Sequence, residues 1–276
     1  MIEWTTPARR PLLRQPVALA ALSWLVLVGM AAVCAPFLAP AGPLVTDVTQ
    51  VLLPPTDCSL GTDMLGRDVL ARLIWGSRWT LGTGLVGLAV AVGLGLPTGL
   101  VAGTFGGWIE AVLMRVVDAF LAFPSLLLAM AVVALLGRSM VSVAVAVGLA
   151  AAPAYARVTR SAVLEVRVQP YVEAARALGC SEWRIMARHV LPNAAAPLVA
   201  FAATQLGWVL LNEAALNFLG LGVRPGVPEW GAMLAEGRGY LRDGPWVSTF
   251  PGLALTLTVL AANLLGDGLQ EALRPR

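Results

Sequence analysis

The sequence predicts an all-α polytopic membrane protein with six transmembrane helices. Of its 276 residues 58% are apolar and only 13% charged, against about 45–50% and about 25% in soluble domains. Stretches free of Asp, Glu and Arg run 15–46, 79–109, 119–137, 139–156, 189–212 and 244–266, each near or above the roughly 18–20 residues that cross a bilayer as a helix. All 19 basic residues are arginines, and they gather between particular runs. Such a composition excludes a disordered or highly solvated chain as well as an ordinary soluble one.

The organisation follows in order: an N-terminal segment 1–16, a first span 17–38, an external loop 39–80, a core 81–270 with five spans, and a C-terminal segment 271–276. The five core spans are placed at 81–105, 112–136, 140–156, 195–218 and 248–265, with a long internal loop at 157–194. Basic residues are retained on the cytoplasmic side. Arg9, Arg10 and Arg14 precede the first span, so that end is inside. The segment with Arg157, Arg160, Arg167, Arg176, Arg184 and Arg188 then falls inside too, as do Arg274 and Arg276, and both termini are cytoplasmic. The outer segments are more balanced, with Arg67, Arg72 and Arg78 against Asp47, Asp57, Asp63 and Asp68, and Arg224, Arg238 and Arg242 against Glu229, Glu236 and Asp243.

The pair Arg9-Arg10 and the apolar stretch after it mimic an export signal. That stretch exceeds the roughly 7–15 apolar residues of a cleaved signal, and a retained first span is the expectation. A nucleic-acid-like basic patch is not seen. The chain has no lysine, so it cannot supply the lysine of a Walker A loop or of a pyridoxal Schiff base. His189 is the single histidine, and Cys34, Cys58 and Cys180 lack metal-ligand spacing, which argues against a zinc site or a Cys/His nucleophile.

Gly95, Gly99 and Gly103 stand four apart in the second span and form a flat stripe for close helix approach, with a hinge at Pro97 as the lesser reading. In the third span Arg115 and Asp118 are spaced to pair on one helix face. Pro124 in that span and Pro153 in the fourth are expected to kink continuous helices. In the fifth span Gln205, Asn212, Glu213 and Asn217 fall within an arc of about 140° at 100° per residue, giving one polar wall. That wall faces a water-filled path or a partner helix. Alternatively Glu213, about 27 Å along the helix, reaches the outer interface.

The internal loop carries the sharpest signal. Pro170 suits a first helical position, Glu173 the first turn and Gly179 a left-handed cap, so residues 170–178 should form a short helix. Ser181 can cap a second one running toward Val190, with Pro192 ending it. Small Ala174, Ala175 and Ala177 permit close approach of another surface, and Val172, Leu178, Trp183, Ile185 and Met186 offer an apolar contact set. The competing reading is an amphipathic helix lying on the membrane.

The pattern Glu173-Ala174-Ala175, three residues, Gly179, eleven residues, then Leu191-Pro192 resembles the EAA loop of permease subunits of binding-protein-dependent ABC importers. Leu60-Gly61-Thr62-Asp63, Leu65-Gly66-Arg67-Asp68-Val69-Leu70, Ala122-Phe123-Pro124-Ser125, His189-Val190-Leu191-Pro192-Asn193, Asn217-Phe218-Leu219-Gly220-Leu221-Gly222 and Asn263-Leu264-Leu265-Gly266-Asp267 resemble, in uninterrupted order, the C-type permease of dipeptide, oligopeptide and nickel importers. His189 departs from the generic loop pattern but fits the peptide branch, and Asn212 stands where a small residue is expected.

The resemblance implies a type I importer fold with no catalytic residues and no cofactor in this chain. It implies a B-type permease partner, two ATPase subunits that hold ATP and Mg, an extracytoplasmic substrate-binding protein and a lipid surround in a bacterial or archaeal inner membrane. Glu173, Ala174, Ala175, Gly179, Trp183, Leu191 and Pro192 would then couple to the ATPases, with di- or oligopeptides as cargo or, alternatively, nickel or another small solute. A secondary transporter should show internal repeats, and a membrane enzyme clustered catalytic side chains; neither pattern is found.

Overall fold

The computed structural model describes residues 15–55, 60–224 and 226–273. Arg9, Arg10, Arg14, Asp57, Cys58, Arg274 and Arg276 lie outside them. Five helices are long and apolar enough to cross a membrane, or six if a bent helix pair is counted as one span.

Helix α1 (Pro16–Leu38) starts on a proline whose missing N–H costs nothing at that position. It lays Ala18, Ala21, Ala32 and Ala35 against the bundle and turns Leu27, Val33 and Phe37 outward to the lipid. In the segment after it, the Thr49 hydroxyl and N–H donate to Asp47 and hold its carboxyl below the usual range.

Helix α2 (Val69–Phe105) has 37 residues, about 55 Å at 1.5 Å per residue. It begins well before the expected position 81, because Arg72 is not left in an outer loop but is buried and neutralised inside the helix. Asp68 caps its start, accepting from the Leu70 N–H at 2.9 Å. Pro97 lies within a continuous helix.

The expected single third span is two helices, α3 (Gly107–Leu121) and α4 (Ser125–Leu136), at 91° to one another. Pro124 provides no N–H and its ring crowds the carbonyl four residues earlier, so the helix breaks there instead of kinking. Nor does Asp118 pair with Arg115. Its carboxylate accepts from Arg157 at 2.6 Å, while Glu110 pairs with Arg160. Both arginines belong to α5 (Met140–Arg167). Partners eight apart on α3 thus meet residues only three apart on α5, so α3 lies across α5 and α4 carries the chain to the other end. Helix α5 is continuous through Pro153 and extends to Arg167, so the first part of the expected internal loop 157–194 is helix.

The Gly95, Gly99 and Gly103 stripe of α2 lies on α5. A Cβ at Gly95 would stand 2.6 Å from the Ala152 carbonyl oxygen and 2.8 Å from the Tyr155 Cβ, and one at Gly103 would stand 2.6 Å from Val163 Cγ1. Ala152 and Ala156 give α5 small residues opposite the stripe, and it is the most enclosed of the long helices. Without a hydrophobic drive between helices in lipid, such close backbone packing is what holds them.

The chain continues through α6 (Pro170–Ala177) and α7 (Glu182–Ile185) into α8 (Leu191–Phe218), then α9 (Trp230–Gly237) and α10 (Trp246–Leu273). Helix α10 packs on α8 and α1, and Trp24 Nε1 donates to Thr258 Oγ1 at 3.1 Å between α1 and α10.

Candidate functional site: the internal helical hairpin and the outer polar cluster

Helix α6 ends in a Schellman turn: the Cys180 N–H donates to Ala175 O at 3.1 Å and the Gly179 N–H to Arg176 O at 3.0 Å. Closing both bonds requires a left-handed residue, and Gly179 has φ 82°. Nothing lies within 4 Å of where its Cβ would be, so the glycine answers to the backbone and not to space. Ser181 precedes α7 but its side chain caps nothing. Another contact fastens the hairpin: Arg176 Nε and Nη2 donate to the two Glu182 carboxylate oxygens at 2.7 and 3.2 Å. Six residues apart is not a helical spacing, so only the turn brings this pair together.

Pro192 does not end the second short helix. A π-helical turn, Met186–Val190, joins α7 to α8, and the Leu191 N–H donates to Met186 O. The wider turn shifts the hydrogen-bond register just where Pro192 has no N–H to give, which lets the helix run on.

The expected apolar contact set is divided. Val172, Ile185 and Val190 are buried with Leu100 of α2 and Val163 of α5, with Met186 packed on them. They are the anchor. Ala175 is also buried, so it serves this inward packing and not the approach of another surface. Leu178 and Trp183, at 85% and 59% exposure, point outward beside exposed Glu173, Ala174 and Gly179. The Trp183 ring meets Phe105, at the end of α2, edge-on at 5.1 Å between centroids. Leu191 is half-buried and Pro192 exposed.

The polar wall of α8 turns inward, to the partner helix α2 at Glu213, and Asn217 also borders an outer cavity. Gln205, Glu213 and Asn217 are buried within this chain, and only Asn212 is half-buried, its amide donating to Trp208 O at 2.9 Å. Glu213 and Asn217 have been drawn to the chain's own neighbours, since an unpaired polar group in the apolar interior costs several kcal/mol. Glu213 accepts from Thr83 of α2, and Asn217 Oδ1 accepts from the Val223 N–H at 3.1 Å. The interfacial reading of Glu213 fails equally, with 1% of its surface exposed. Beside it Glu229, also buried, caps α9 by accepting from the Gly231 and Ala232 N–H groups at 2.9 and 2.8 Å, and it accepts from the Thr80 hydroxyl at 3.1 Å.

At the end of the bundle opposite the hairpin, four charges close into one cluster. Asp63 Oδ2 accepts from Arg67 Nε and Arg72 Nη1, both at 2.6 Å, and Glu236 Oε2 is 3.0 Å from Arg67 Nη2 and 2.8 Å from Arg72 Nη2. This ties the segment ahead of α2 to α9. In the sequence these four read as balanced loop charge, Asp63 and Arg67 standing also in the family-like motifs, and the i, i+4 spacing of Asp63 and Arg67 is the local signal of the pair.

The helical bundle, with the hairpin at one end and the charge cluster at the other, has the permease fold of a type I ABC importer. It matches a chain of the solved MetNI methionine ABC transporter in an inward facing conformation with a TM-score of 0.61, over 74% of this chain and 97% of that one, at 23% identity. Residues 95–276 match the binding-protein-dependent transport system inner membrane component family, and residues 5–55 the N-terminal transmembrane domain of oligopeptide transport permease C. The chain belongs to the binding-protein-dependent transport system inner membrane component family. Among its relatives are the di/tripeptide transport system permease protein DppC of Pseudomonas aeruginosa, 42% identical over 94% of this chain and 88% of that one, and the glutathione transport system permease protein GsiD of Pectobacterium atrosepticum, 45% identical over 79% and 72%. The probable D,D-dipeptide transport system permease protein DdpC of Escherichia coli is 38% identical over 95% and 88%.

Proposed function

We propose that this chain forms half of the translocation pathway of an importer for di- or oligopeptides and receives the ATPase stroke through the hairpin of α6 and α7. The observation that carries this reading is the hairpin's construction. Its buried side is anchored on α2 and α5, its two helices are locked by Gly179 and the Arg176–Glu182 pair, and its outward side presents Leu178 and Trp183 beside Glu173. A linker would not hold large apolar groups outward on a rigid mount, whereas a short helix that enters a groove on a partner needs such anchors.

Two ATPase subunits, which bind ATP and Mg, sit beneath the permease pair, one of them at this hairpin. A B-type permease completes the pathway, and an extracytoplasmic binding protein delivers cargo at the opposite end. The hairpin and both termini are cytoplasmic, in keeping with the arginines gathered there. Peptide cargo is supported by the relatives named above, which are permeases for D,D-dipeptides, di/tripeptides and glutathione.

The test is uptake by the four-subunit complex in proteoliposomes supplied with its binding protein. Labelled dialanine should accumulate only when ATP is enclosed on the hairpin side and the binding protein is present outside. Accumulation of a different solute with no di- or tripeptide carried would reject the peptide reading.

A further inference from the structure

Outer loop charge, balanced in the sequence, is unbalanced in space. The cluster of Asp63, Glu236, Arg67 and Arg72 cancels itself, two charges of each sign. Next to it is a cavity of about 380 Å³ whose wall includes Arg138 from the turn between α4 and α5, Arg224 from the segment between α8 and α9, and Asn217, Gly220, Gly222 and Glu236. Glu236 is the single carboxylate on that wall, and it is already engaged by both guanidinia of the cluster and, through its other oxygen, by the Gly226 N–H at 3.1 Å. Arg138 and Arg224 are exposed, and among the described residues neither has an ion pair or a side-chain hydrogen bond. The cavity therefore carries two uncompensated guanidinium groups over a wall that is otherwise neutral.

The geometry points to a carboxylate-binding subsite here, in which Arg138 and Arg224 receive the C-terminal carboxylate of a peptide as it enters the pathway. This rests on the peptide reading above. Guanidinium forks match a carboxylate bidentately, and a pair of them fixes its orientation. The volume lies within the roughly 300–1,000 Å³ of small-ligand sites, and concavity favours the end of a small molecule over the broad face of a docked protein. A free α-carboxylate is common to all di- and tripeptides whatever their side chains, so a site that reads only that group tolerates varied cargo.

The experiment uses the assembled complex in nanodiscs, without binding protein, and follows dialanine and dialanine amide by saturation-transfer NMR. The wild type should bind dialanine at least about tenfold tighter than the amide, the factor that losing a charge-assisted contact carries. The doubly substituted Arg138→Gln/Arg224→Gln complex should lose that preference, and Arg138→Lys/Arg224→Lys should retain part of it. Both arginines are unpaired, so all subunits should still co-purify with the double variant. Equal binding of both compounds by the wild type, or an unchanged preference in the glutamine variant, would overturn the subsite. So would loss of binding-protein or second-permease association in that variant, which would mark a docking patch instead. Wild-type uptake of dialanine, measured alongside with binding protein present, separates failure of the subsite from failure of the peptide reading itself.

Discussion

The Arg72 guanidinium reaches the Asp63 carboxylate at 2.6 Å with neither side chain exposed to solvent. Removing one partner of a buried pair leaves an uncompensated charge and costs about 3–5 kcal/mol. Arg72→Leu should therefore sharply lower the thermal stability of the purified complex. Arg157→Gln breaks an equally short ion pair, to Asp118, but one whose side chains are 54% and 58% exposed, and exposed pairs contribute about 0–1 kcal/mol. Thermal unfolding of the two variants should differ by several degrees, and equal shifts would deny the buried cluster its structural weight.

Glycines on α2 should divide by what lies beside them. At Gly99 a Cβ would collide with the backbone and side chain of α5, at Ala156 and Thr159, while at Gly93 it would meet nothing within 4 Å. Gly99→Val should separate α2 from α5 and cost at least about 1–3 kcal/mol. Gly93→Ala should be neutral or stabilising by up to about 1 kcal/mol, through helix propensity. Melting curves of both variants check the pair of outcomes.

Sidedness can be read with cysteines placed where the structure shows exposure. Natural Cys180 is half-buried and a poor reporter. In a chain whose three cysteines are replaced by serine, expressed without its ATPase subunits, Leu178→Cys should react with an impermeant thiol reagent only after sealed cells are permeabilised. Leu241→Cys, at the other end of the bundle, should react at once. Both residues are exposed, so external labelling of position 178 would invert the orientation.

Spans were legible in the sequence because lipid demands uncharged runs, and the five long helices fall on such runs. Their ends were less so. Arg72 and Arg157 read as loop residues, yet both lie within helices, the first because its charge is cancelled and the second because α5 projects past the apolar layer to meet Asp118. Periodicity placed Gln205, Glu213 and Asn217 on one face of α8, but a face has no direction until its neighbours are known, and those of Glu213 and Asn217 are Thr83 and Val223 of the same chain. The left-handed cap at Gly179 was legible because helix punctuation is local. The Arg176–Glu182 clasp was not, since it exists only once the turn has formed.

Coupling is the central claim, and Gly179 is its most direct test. A residue with a β-carbon pays about 1–2 kcal/mol in the left-handed region, more when branched, and here the open surroundings leave backbone strain as the sole effect. Gly179→Val should turn α7 away from α6 and break the Arg176–Glu182 clasp, while Gly179→Asn, which tolerates the conformation, should be mild. The measurement is co-purification of the ATPase subunits together with substrate-stimulated ATP hydrolysis in reconstituted membranes. Gly179→Val should give a membrane-inserted permease that loses its ATPases or hydrolyses ATP without uptake; wild-type values for that variant in both assays would contradict coupling through this hairpin.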